Sequence, residues 1–94
     1  MTRDAAFYFA NLGADVTRCV SAAKRGDESR YQESLERAYC TVNYIRASHR
    51  PEAYEEALLM LRGLGLACES PETLTSFQSG IDAIMSPFSA RLVP

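Results

Sequence analysis

The sequence predicts an all-α protein folded as an up-and-down antiparallel four-helix bundle. Apolar residues recur at steps of three and four along most of the 94 residues, which lines one side of a 3.6-residue helix. Three junctions interrupt that pattern with stop-and-start chemistry: Gly26-Asp27, His49-Arg50-Pro51 and Ser70-Pro71. No segment alternates with a period of two, and no Asn-Gly hairpin signal occurs. Junctions this short make consecutive helices antiparallel neighbours. The expectation is one domain over 1–94, with helices near 3–25, 28–48, 51–68 and 71–86 and a short C-terminal tail.

The first helix rests on Ala5, Phe9, Leu12, Val16, Cys19 and Ala23, widened by Phe7, Tyr8 and Val20. Gly26 suits the left-handed position after its end, and Asp27 is a favoured N-cap for the next helix. The second stripe is Tyr31, Leu35, Ala38, Val42, Ile45 and His49, flanked by Tyr39 and Tyr44. His49 is thereby expected in the last turn of helix two, where the dipole favours it and its ring can donate to a terminal carbonyl. Pro51 then opens helix three, with Glu52, Glu55 and Glu56 at its positive end.

Helix three is apolar nearly all round. Tyr54, Ala57, Leu58, Leu61, Leu64 and Cys68 form its stripe, while Leu59, Met60, Leu66 and Ala67 cover much of the rest. Such a helix is central to a fold or shared with a partner. Gly63 and Gly65 either admit a neighbouring backbone or end the helix early, at about 1 kcal/mol each within a helix. Ser70, Pro71 and Glu72 cap and start helix four, whose stripe is Leu74, Phe77, Ile81, Ile84 and Phe88 with Met85 beside it. Pro87 is expected to end that helix near Ser86.

Composition bounds function. The hydrophobic fraction is 47%, the charged fraction 23% and the net charge -2, which is ordinary for a globular chain. Arg3, Arg18, Lys24 and Arg25 outnumber Asp4 and Asp15 in residues 1–26, whereas residues 51–94 carry six acids against Arg62 and Arg91. A basic start and an acidic end attract each other within a fold or between copies. Nucleic acid is an unfavoured partner, since it calls for clustered excess base on one side. No apolar stretch is long enough to span a bilayer, and the N-terminus lacks the basic-then-apolar order of a signal peptide. Cys19, Cys40 and Cys68 are odd in number without a CxxC pair. That pattern points to reduced thiols in the cytoplasm, away from disulfide scaffolds and thiolate zinc sites.

Catalytic chemistry finds few residues to use. His49 is the sole imidazole, no G-x-S-x-G elbow occurs, and no Glu-x-x-His pair is present for a bundle metal site. No cofactor or metal is expected. "RASHR", Arg46 to Arg50, resembles the arginine–histidine signature of HEPN-family helical bundles, some of which cut RNA and others of which partner nucleotidyltransferases. The family spaces its arginine and histidine more widely than Arg46 and His49. The resemblance implies a phosphate or nucleic-acid site at Arg46, His49 and Arg50. The residues themselves favour a different expectation: a non-catalytic cytoplasmic bundle working through protein contacts, as a homodimer or with another protein. Leu59, Met60 and Leu66, which lie off the Leu58–Leu61 line, are the expected interface, and Tyr39 and Tyr44 are candidates for a groove.

Overall fold

The computed structural model describes residues 5–92, with side chains for 5–86. It is an antiparallel four-helix bundle of α1 (Ala5–Arg25), α2 (Glu28–Ala47), α3 (Pro51–Ala67) and α4 (Pro71–Leu92), measuring 39 × 23 × 22 Å. Among the described residues there is no strand, and no helix is long and apolar enough to cross a membrane. The α1/α2 seam is the most extensive. α1 and α3 also touch across the short diagonal, while α2 and α4 do not meet among the described residues.

The junctions follow from local chemistry. Gly26 has φ +69°, and Asp27 Oδ1 accepts the Arg30 N–H at 3.1 Å, so glycine stop and aspartate cap are both in place. At the last junction Ser70 Oγ accepts the Thr73 N–H at 3.2 Å, and Thr73 Oγ1 accepts the Ser70 N–H at 3.2 Å. This is a capping box with threonine in the position usually held by glutamate. The same Thr73 hydroxyl donates to the Ala67 carbonyl at 2.6 Å, so one side chain closes α3 and opens α4. Gly63 and Gly65 both remain inside α3.

The core draws Leu12, Val16 and Cys19 from α1, Val42 and Ile45 from α2, Leu61 and Leu64 from α3, and Leu74 and Ile81 from α4. Two helices present a different side from the one expected. In α3 the buried set is Ala57, Met60, Leu61, Leu64 and Ala67, leaving Leu58 and Cys68 exposed. A helix apolar all round does not select its buried side by hydrophobicity. Packing selects it here, and the inward side carries the alanines, which let helices on the short diagonal approach. In α4, Met85 is buried and Ile84 exposed. The reason is Gly13 of α1: a Cβ built there would lie 2.6 Å from Met85 Cγ, so the bare glycine surface receives the methionine.

Pro87 does not end α4, which runs to Leu92. A proline inside a helix withholds one N–H from the carbonyl four residues back, here that of Ala83. Ala83 is exposed, so water can serve the orphaned carbonyl. The expected tail is therefore helical as far as 92, and the Phe88 side chain lies outside the described residues.

Candidate functional site

Three regions carry the residues singled out from the sequence, and a fourth was not foreseen. The first is the outer side of α3. Glu55, Leu59, Arg62 and Leu66 follow one another at steps of four, three and four, so they share one side of the helix. Leu59 is 60% exposed and Leu66 61%, with Leu58 beside them also exposed. Against α4 this surface dips into a groove of ≈ 270 Å³ lined by Leu59, Met60, Phe77, Ile81 and Ile84, with Glu56 at its rim. Met60 is buried and forms the floor, not the surface. Ile84, 49% exposed, forms the opposite wall. Phe77 reaches this groove because Gly63 gives it room, with a Cβ at 63 falling 3.0 Å from its ring. Gly65 meets nothing within 4 Å.

The second region is the α2–α3 junction. α2 ends at Ala47, and Ser48 is its C-cap, with both its N–H and its hydroxyl donating to the Ile45 carbonyl, at 3.1 and 2.6 Å. His49 therefore lies outside the helix, at φ +60°, in the left-handed position that usually belongs to glycine or asparagine. It is exposed, and among the described residues its ring has no hydrogen-bond partner. The capping task assigned to the imidazole is performed by the serine hydroxyl, which is shorter and sits one residue nearer the helix end. Arg46 and Arg50 are exposed as well. Because a side chain at positive φ crowds its own backbone, His49→Gly is expected to raise stability by about 0.5 kcal/mol. Denaturant titration with helicity as readout checks this; a loss of more than about 1 kcal/mol would mean the ring makes a stabilising contact.

The third region concerns the tyrosines. Tyr44 stacks on Tyr8 with ring centroids 5.1 Å apart and planes 7° from parallel, and Phe7 meets Tyr8 edge-on at 5.5 Å. The cluster clamps the start of α1 to the end of α2. Tyr39 is exposed and takes no part in it.

The cysteines are unpaired: Cys19 is buried, Cys40 and Cys68 exposed. Burial pushes the Cys19 thiol from 9.0 up to about 11, with the Asp15 charge adding to the effect, so it stays an inert thiol at neutral pH. Cys68 Sγ lies 3.5 Å from the Tyr31 hydroxyl, and burial with that contact raises the phenol above its usual range. Among the described residues no group of three His, Cys, Asp or Glu is placed to hold a metal ion.

The unforeseen feature is Asp15, a carboxylate only 6% exposed on the inward side of α1. Its carboxylate accepts from Arg18 Nη1 at 2.9 Å and from the Thr41 hydroxyl at 3.5 Å. One trace was legible, an acid three residues before an arginine on a helix. Its burial depends on α2, which supplies Thr41. The pair stands at the head of a polar trough that follows the α1/α2 seam. No known family, curated protein or solved structure matches this chain.

Proposed function

We propose that this protein is a non-catalytic, cytoplasmic bundle that works through protein contacts, and that its first partner is a second copy of itself. What supports this reading is the outer side of α3: Leu58, Leu59 and Leu66 are exposed together, where a self-sufficient monomer scatters such residues singly. The charges on the same surface favour a copy over another protein. Glu55 and Arg62 stand equally far, about 5 Å along the helix axis, on either side of Leu58 and Leu59. Neither makes an ion pair among the described residues. A two-fold axis beside those leucines sets two α3 helices antiparallel and brings Glu55 of each copy to Arg62 of the other. The surface is thus self-complementary, as an isologous interface requires. The leucines, with Ile84 at the edge, supply the apolar burial, and the crossed pairs set register more than affinity.

Sedimentation at micromolar concentration tests this. The wild-type chain is expected to be a dimer and Leu59→Glu a helical monomer, since an exposed glutamate is harmless alone and costly in an apolar interface. Arg62→Glu should weaken the dimer through like charges, and Glu55→Arg added to it should restore the dimer by swapping the pair. A monomeric wild-type chain at high concentration overturns the proposal, and a swap that fails to restore overturns the two-fold arrangement.

A further inference from the structure

The α1/α2 seam carries a second surface, independent of α3. α1 places Arg18 and Arg25 seven residues apart, and α2 places Arg30 and Arg37 seven residues apart. Seven residues return to nearly the same side of a helix, about 10.5 Å further along. The helices are antiparallel, so the four side chains line one groove of ≈ 580 Å³, Arg18 with Arg37 at one end and Arg25 with Arg30 at the other. Among the described residues only Arg18 is in an ion pair. That pair serves to aim it: the buried Asp15 holds Nη1 at 2.9 Å, leaving the remaining guanidinium donors for the groove. Asp27, at the far end, is already engaged as the α2 cap. Between the two pairs of arginines sits Glu33, with the hydroxyls of Ser21 and Ser34 also lining the groove.

This charge order selects a ligand chemistry. Guanidinium forks match phosphate oxygens, and two arginines line each end of the groove. A carboxylate in the middle repels a continuous polyanion but accepts hydrogen bonds from hydroxyl groups. We propose that the seam binds a small bisphosphorylated polyol or sugar, one phosphate on each pair of arginines and the hydroxyl-bearing carbons against Glu33. Seven residues of helix set the pairs about 10.5 Å apart, the scale of a six-carbon chain phosphorylated at both ends. Four arginines line the groove against Asp27 and Glu33, with Asp15 paired to Arg18, so a modest positive excess remains on a chain of net charge -2.

Calorimetric titration with fructose 1,6-bisphosphate, fructose 6-phosphate and inorganic tripolyphosphate tests the proposal. The bisphosphate is expected to bind one per chain, about tenfold or more tighter than the monophosphate, because the latter engages one arginine pair. Arg30→Gln with Arg37→Gln should lower its affinity by about a hundredfold, one charged contact being lost at each end. Arg46→Gln with Arg50→Gln, outside the groove, should leave it unchanged. All four residues are exposed, so helicity should be kept in both double variants. The site is overturned if millimolar bisphosphate does not bind, or if both double variants weaken binding equally. Tripolyphosphate, or a short single-stranded RNA, binding more tightly than the bisphosphate also overturns it, since a continuous anion would then be preferred despite Glu33. Each result is read on a monomer or a dimer alike, so the self-association proposal stands or falls separately.

Discussion

Leu64→Glu is expected to abolish cooperative folding, whereas Leu66→Glu, two residues away, is expected to leave the fold intact. Leu64 is fully buried where α3 meets the other helices. A glutamate there must either stay ionised with no cation to receive it or take up a proton against its ordinary preference, and both are costly. An unpaired buried charge costs about 3–5 kcal/mol even where the site relaxes, and the lost leucine adds a cavity cost of about 2 kcal/mol or more. A small domain has a total stability of about 5–15 kcal/mol, and one of this size lies toward the lower end. The two costs together consume it. Leu66 stands on the outer side of the same helix, 61% exposed, so its replacement changes the surface and not the core. Far-ultraviolet circular dichroism with thermal melts separates the cases. A Leu64→Glu variant that melts cooperatively near the wild-type temperature would refute the packing described here.

The second large effect is expected at Gly13. A Cβ at this position falls 2.6 Å from Met85 Cγ and 2.8 Å from its sulfur, closer than any carbon contact can stand. Gly13→Val forces two further methyl groups into that space with a side chain stiff at χ1. The helix gains the propensity that glycine lacks, about 0.5 kcal/mol, but overpacking a closed seam costs about 1–3 kcal/mol. The net expectation is a loss of about 2 kcal/mol, or roughly 10 °C in melting temperature for a domain of this length. Met85→Ala alone should also destabilise, by leaving a cavity. In the double variant Gly13→Val with Met85→Ala the new methyl groups fill that cavity, so its loss should be smaller than the sum of the two singles. Strict additivity would show that Gly13 and Met85 do not meet.

Both effects bear on what could be read in advance. Junction chemistry was legible because it is local: Gly26, Asp27, Pro51, Ser70 and Pro71 act within one turn of themselves, and each stands where its backbone preference places it. The inward sides of α1 and α2 were legible for a related reason. Each has a polar side opposite its apolar stripe, so Leu12, Val16, Val42 and Ile45 have one way to face.

Where a stripe is broad or a cue weak, the neighbour decides. Leu59 and Leu66 lie on the outer side of α3, as their spacing off the Leu58–Leu61 line predicts. Leu58 and Met60 exchanged places relative to the expected line because α3 turns its alanines to its neighbours. Pro87 carries a strong stop signal that α4 overrides, since the carbonyl it orphans lies on an exposed turn. His49 looked like a capping side chain, yet the Ser48 hydroxyl reaches the Ile45 carbonyl from a shorter stem and the histidine is left to make the left-handed turn.

The candidate surfaces divide the same way. Leu59, Leu66, Glu55 and Arg62 share a side of α3 by their spacing alone, so that much of the apolar surface is a property of the sequence. The α1/α2 groove is not. Arg18 and Arg25 repeat by seven on one helix and Arg30 and Arg37 on the next, but nothing within either helix states that the two rows face each other. That is set by the angle at which α2 folds back on α1, through the Gly26 turn and the packing of Leu12, Val16 and Cys19. Helix identity and phase are encoded over a few residues by backbone preference and hydrophobic period. Which rows of charges meet depends on contacts between residues far apart in the chain, and only the folded bundle makes them.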